Sequence, residues 1–171
     1  MERNEIVQFR DATELADSMA MFDNYLQTFG LPSTNIIASN KDRVRIMNAL
    51  PDFLDELDDD VKKDATYLSK FVAGAAIGLF DASLNFVWNE VVVNLRKKVV
   101  CYGLELFYDN AVDLKRRPFY KDEHDLSGIK DKTLLDTCWK LELIQDIVYK
   151  KLCHILDMRN QIGASHPTSY N

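Results

Sequence analysis

The chain has little of what interrupts a helix. It holds 6 glycines and 4 prolines among 171 residues, which argues against a protein of many short strands and turns and favours long helices. Its three cysteines, Cys101, Cys138 and Cys153, are an odd number at no metal-like spacing. That excludes a disulfide framework and predicts reduced, buried thiols in a cytoplasmic protein. No apolar core marks a signal peptide in Met1-Glu2-Arg3-Asn4-Glu5. The longest charge-free run near the middle, Phe71 to Phe80, is too short for a bilayer and ends at Asp81, so no membrane is expected. There is no strand alternation, internal repeat or low-complexity tract.

What is present is ordinary for a globular protein: 47% hydrophobic and 28% charged residues. A chain of this length fits one domain and buries roughly 70% of its unfolded surface. The formal charge of −6 argues against a general nucleic-acid coat. The charge is uneven, however. Residues 1–90 carry 8 Lys/Arg against 16 Asp/Glu, and residues 91–171 carry 13 against 11. The second half can therefore tolerate a phosphate backbone.

The apolar spacing predicts an all-α bundle of about six helices with two long central ones. A first helix follows an Asp11 cap and Glu14, with Leu15, Met19, Phe22, Tyr25, Leu26 and Phe29 on one face, and Gly30 and Pro32 stop it. A second begins at an Asn40 cap and is interrupted by Pro51, giving two short helices or one kinked one. Asp58-Asp59-Asp60 starts a proline-free stretch from about Val61 to Val112 that should break near Leu79 to Ser83, with Asp81 capping its second part. Gly74 and Gly78 would let another helix approach closely. Lys115 to Gly128 reads as a polar loop, with His124 facing solvent. Lys132 to Leu143 and Asp146 to Arg159 are further helices. Trp88 and Trp139 are expected as core anchors. Residues 1–58 are expected to form an N-terminal helical segment packed on the bundle, and 59–171 one compact catalytic domain.

The chemistry concentrates at the end of the chain, in Met158-Arg159-Asn160-Gln161-Ile162-Gly163-Ala164-Ser165-His166-Pro167. A helix ending near Asn160 to Ile162, capped by Gly163, places Arg159 in its last turn. Pro167 turns His166 out of helical conformation. Taken by spacing alone, Arg159 complements the helix dipole and His166 is a surface residue. The same pair can also do acid–base chemistry on a phosphodiester. Histidine ionises near pH 6.5, and arginine stays charged and can grip two phosphate oxygens.

Arg159 and His166, with six residues between them, fit the R-x4-6-H motif of the HEPN (higher eukaryotes and prokaryotes nucleotide-binding) superfamily, which the C-terminal part resembles. Asn160 matches the polar residue that usually follows the arginine. The segments Leu134-Leu135-Asp136-Thr137-Cys138-Trp139-Lys140-Leu141 and Leu84-Asn85-Phe86-Val87-Trp88-Asn89-Glu90 are similar to HEPN text as well. The resemblance covers roughly residues 60–167. It implies a homodimer with two Arg/His sets across one cleft, and metal-independent RNA cleavage without a cofactor. The RNA's 2′-hydroxyl attacks the adjacent phosphate, leaving 2′,3′-cyclic phosphate and 5′-hydroxyl ends. It further implies a role as a toxin or in antiphage defence, with a regulatory antitoxin, sensor or ATPase as partner. A helical module that binds a protein or nucleotide without chemistry is the other reading. The expected catalytic residues are Arg159, His166 and Asn160; Ser165, Lys150 and Lys151 are expected to bind substrate, with no metal. Arg96-Lys97-Lys98 and Lys115-Arg116-Arg117 are further basic stretches that could converge on RNA. Two departures stand out: the overall acidity, and only five residues after His166, where many HEPN domains continue into another helix.

Overall fold

A computed structural model describes the backbone of residues 12–164 and the side chains of residues 20–161. The expected Asp11 cap, Ser165 and His166 lie outside the described residues. Those described are all-α. They form eight α-helices: α1 (Ala12–Thr28), α2 (Asn40–Asp55), α3 (Asp59–Lys63), α4 (Thr66–Ile77), α5 (Phe80–Tyr102), α6 (Leu104–Ala111), α7 (Asp131–Lys140) and α8 (Asp146–Ala164), with two short 3-10 turns between α6 and α7. The excess over six comes from the proline-free stretch, which breaks three times. The break at Gly78–Leu79 was expected; those around Asp64–Ala65 and at Gly103 were not. Gly103 adopts φ +130°, a conformation that other residues rarely reach.

The chain divides into two compact units. Of the described residues, 12–64 and 70–83 form one, and 65–69 and 84–164 the other. In the first unit, glycine ends two helices by the same device. At the end of α1, Gly30 N–H donates to the Gln27 carbonyl at 2.9 Å and Leu31 N–H to that of Leu26 at 3.1 Å. At the end of α4, Gly78 and Leu79 do the same to Ala75 and Gly74, at 3.1 and 2.9 Å. Both are Schellman turns with glycine left-handed, at φ +68° and +87°.

Gly78 does more than turn the chain. A Cβ there would lie 2.8 Å from Ile37 Cγ2 and 3.0 Å from Arg43 Cδ, so the α1–α2 connection packs directly on its backbone. Gly74 is approached closely by Ser83 at the start of α5, whose Oγ would lie 2.6 Å from a Cβ there. Arg43 is buried, and its Nε donates to the Ala76 carbonyl at 3.0 Å near the end of α4, where positive charge is favoured. Burial lowers its pKa from the ordinary arginine value.

One local expectation is corrected here. The α2 cap is Ser39, whose Oγ accepts from Asp42 N–H, and not Asn40. The helix then continues through Pro51 to Asp55. The α1 residues Phe22, Tyr25 and Phe29, read as part of one apolar face, are exposed, and Tyr25 and Phe29 meet edge to face at 5.0 Å.

The second unit carries the larger core. On α5, Trp88, Val92, Leu95 and Val99 form one buried stripe at helical spacing. Phe107 and Tyr108 of α6, Leu134, Leu135 and Cys138 of α7, and Leu156 of α8 close over it. Each large side chain buried here contributes about 1.5–3 kcal/mol. The segment expected as a polar loop is tied into this core by buried Tyr120, Leu126 and Ile129. Asp122 and Asp125 cap one of its 3-10 turns reciprocally. His124 is exposed, as expected. Of the cysteines, Cys138 is buried and its thiol pushed up to about 11 by burial, while Cys153 is intermediate and Cys101, against expectation, is exposed. Trp139 is also exposed rather than an anchor. None of the described helices is long and apolar enough to cross a membrane.

Two measurements test this packing. Gly78→Ala should lose clearly more stability in urea denaturation than Gly30→Ala. Both place alanine in a left-handed conformation at about 1–2 kcal/mol, but only Gly78 also meets neighbours within 4 Å. Equal losses would mean that the close approach has no energetic weight. Tyr108 is pushed up to about 12, mainly by burial and then by Asp125 and Asp122. The unfolded phenol ionises first, so its contribution to stability is intact below about pH 10 and is lost on going from pH 10 to 12. Tyr108→Phe should flatten the fall in stability over that window.

Candidate functional site

Helix α8 begins at Asp146, as its sequence predicts, but runs past Gly163 to Ala164. Its last turn holds no basic residue. Arg159 therefore does not serve the terminal carbonyls, and the helix-dipole reading of it is replaced by a lateral one. Its Nε donates to Asn85 Oδ1 on α5 at 3.2 Å, and its Nη1 to Asp131 Oδ2 on α7 at 3.0 Å. The same Asp131 oxygen accepts from the indole Nε1 of Trp88 at 2.7 Å. One carboxylate oxygen thus joins α5, α7 and α8.

Local sequence explains how each partner arrives. Asn85 and Trp88 are three apart on α5 and share a face. Trp88 is 1% exposed, so its N–H needs an acceptor that water cannot supply. Asp131 opens α7, where a carboxylate also favours the helix N-terminus. The Arg159 and Asp131 side chains remain 31% and 28% exposed, at the edge of the core rather than inside it.

A guanidinium has five N–H groups. In Arg159, Nε and Nη1 are engaged, the latter also lying 3.4 Å from Asn160 Oδ1, a long contact. Nη2 donates to none of the described residues. Its two N–H groups are what Arg159 can offer an anion. Contact through one nitrogen replaces the two-nitrogen fork that an unpaired arginine would present.

The other expected residues are placed less closely. Asn160 is exposed beside Arg159. Lys150 and Lys151 are also exposed. They precede Arg159 by nine and eight residues, which sets them about 14 and 12 Å away along the helix and turned by about 180° and 80°. The structure does not bring them to the guanidinium. Within Lys115-Arg116-Arg117, two cations are already engaged. Arg116 Nη2 donates to Tyr120 Oη at 2.7 Å, and Arg117 binds Asp109 Oδ1 and the Tyr120 carbonyl at 2.5 and 2.7 Å. Lys97 and Lys98 border a shallow concavity with Asn94, Cys101, Tyr102 and Leu143.

Asp131 and Asn85 escaped sequence reasoning. Asn85 and Trp88 do lie within one of the segments that resembled HEPN text. Asp131, however, sits at a loop–helix junction where an acidic residue is commonplace. Among the described residues no three His, Cys, Asp or Glu side chains converge as a metal site would require. Compared with known proteins, the chain matches no family model, no curated protein and no solved structure.

Asp131→Ala should cost about 1–3 kcal/mol, because it strands the buried Trp88 N–H and the Arg159 charge together. Asp131→Asn, which keeps an oxygen acceptor, should lose less. The comparison is read from thermal or urea unfolding, and equal losses would show that the shared oxygen is not what matters.

Proposed function

We propose that the chain is a metal-independent RNA endonuclease of HEPN type, with Arg159, Asn160 and His166 as its reacting set. The support is the state of Arg159: a partly exposed guanidinium fixed from two helices, with Nη2 turned to no described partner. Rigid placement of a permanent charge is what stabilisation of a pentacoordinate phosphate demands. In the reaction, the ribose 2′-oxygen bonds to phosphorus and the P–O5′ bond breaks. The proton leaving the 2′-hydroxyl is taken by a base, and one is given to the departing 5′-oxygen. An imidazole can do either, and a second copy of the chain would supply the complementary one. Asn160 orients the guanidinium or the phosphate, and Ser165 the imidazole or the phosphate. A homodimer, a toxin or antiphage role, and an antitoxin, sensor or ATPase partner complete this reading.

The ion pair with Asp131 favours a second reading. A guanidinium already neutralised by a carboxylate attracts phosphate less strongly, as in a HEPN-like module that binds a protein or nucleotide without chemistry.

RNA incubated with purified protein in EDTA separates the two. Cleavage should yield 2′,3′-cyclic phosphate and 5′-hydroxyl ends, and His166→Ala and Arg159→Ala should each slow it by about 10²–10⁴-fold. Cleavage by both variants at the wild-type rate would overturn the catalytic assignment. A folded protein that cuts no RNA would favour the binding module.

A further inference from the structure

Trp139 is the side chain whose place differs most from its sequence expectation. It is 42% exposed where Trp88 is 1%. Its ring stacks on Tyr149 of α8 with centroids 4.7 Å apart and planes 15° from parallel. Both rings are fixed by polar side chains. Trp139 Nε1 donates to Asp146 Oδ1 at 2.5 Å. Tyr149 Oη donates to Asp136 Oδ1 at 2.8 Å and accepts from Lys132 Nζ at 3.0 Å. Lys132 in turn pairs with Asp136, and that hydrogen bond, followed by the one to Tyr149, raises its pKa.

Holding exposed side chains in one geometry costs rotamer entropy. Three polar side chains, Asp146, Asp136 and Lys132, here offset that cost for an exposed indole resting on Tyr149, which itself packs against the core. The Trp139 ring also borders a concavity of about 650 Å³, together with Lys140, Glu142, Ile144, Gln145 and Asp146.

We propose that the Trp139–Tyr149 stack is a platform on which an unpaired base of single-stranded RNA lies. The inference rests on the ribonuclease reading and extends it to a substrate contact away from the reacting phosphate. A pre-stacked indole presents a fixed π-face that any base can cover, so it grips a strand without selecting sequence. Asp136 is paired with Lys132, which reduces its repulsion of a phosphate, whereas Asp146 accepts only from a neutral indole and keeps its charge. Lys140, which borders the same concavity, forms no ion pair with the described residues and is available to the backbone. Glu142 has no side-chain partner among the described residues and can accept from an exocyclic amino group. Tyr149 and Arg159 are ten residues apart on α8, about 15 Å along its axis. A strand bound at Arg159 therefore reaches the platform with neighbouring nucleotides, not the one being cut.

The test uses a fluorescein-labelled 12-nucleotide 2′-O-methyl RNA, which lacks the attacking hydroxyl, so binding is read without cleavage. Wild-type protein should bind it at low salt, with its tryptophan emission quenched at saturation. Trp139→Leu should weaken binding roughly tenfold or more, with unfolding temperature and circular dichroism reporting its fold. Trp139→Phe, which keeps a stacking ring, should stay within about threefold of wild type. Failure of the wild type to bind, unchanged emission on binding, or equal affinity of the Leu variant would each overturn the platform. The loss on Trp139→Leu should be about as large in an Arg159→Ala background as in wild type, whatever Arg159→Ala itself costs. Loss of the ribonuclease reading would instead appear as no cleavage of ordinary RNA by the folded wild type, which leaves the binding result standing.

Discussion

The second unit depends on one carboxylate oxygen. Asp131 Oδ2 accepts from the Trp88 indole and from the Arg159 guanidinium, so a neutral donor from the core and a charged donor from the rim meet on the same atom. The two contacts serve different needs. Trp88 is too deeply buried to bond water, and its N–H would be orphaned without an acceptor. Arg159 gains direction, since two helices hold its planar group at Nε and Nη1. Because α5, α7 and α8 contribute one partner each, their mutual setting is specified by hydrogen-bond geometry as well as by apolar packing, which is less directional.

The clamp shapes what Arg159 can do chemically. An arginine free on a helix surface presents a fork to phosphate but must first be ordered. Here Nε and Nη1 are held, and among the described residues only Nη2 is left without a partner. The charge is partly balanced by Asp131, so the field on an incoming anion is weaker, while its placement is tighter. Catalysis by preorganised charge favours placement, and simple anion capture favours field. A guanidinium so held is suited to the phosphoryl chemistry proposed above more than to tight phosphate binding by Arg159 alone.

Polar residues organise the exposed side of α7 and α8 in the same manner. Lys132 and Asp136 are one turn apart on α7 and reach Tyr149 on α8, and Asp146 holds Trp139. Exposed ion pairs contribute little stability by themselves. Their effect here is to hold rings in register. The Arg116–Arg117 pair acts comparably on Tyr120 and the 3-10 segment. Basic residues that look like a nucleic-acid patch in a linear sequence are in these places internal fasteners.

The all-α class was legible in the sequence because period-3.6 apolar spacing and the scarcity of glycine and proline are local properties that survive folding. Gly30 as a stop and the break beside Gly78 were legible for the same reason. A left-handed glycine terminates a helix whatever lies around it. The partners of Arg159 were not legible. Asn85, Asp131 and Arg159 are separated by 46 and 28 residues, and no local preference links them; only the packing of three helices brings them together. Tertiary structure likewise decided the fates of the two tryptophans. Both stand among apolar neighbours at helical spacing, yet one fills the core and the other stacks at the surface, because a helix's phase relative to its neighbours is set by the packing of the whole unit. The sequence by itself determined the helical class and which side chains can carry charge or a proton, because both are local properties. Tertiary structure alone decided which of those charges are engaged, since engagement requires residues distant in the chain to meet at about 3 Å.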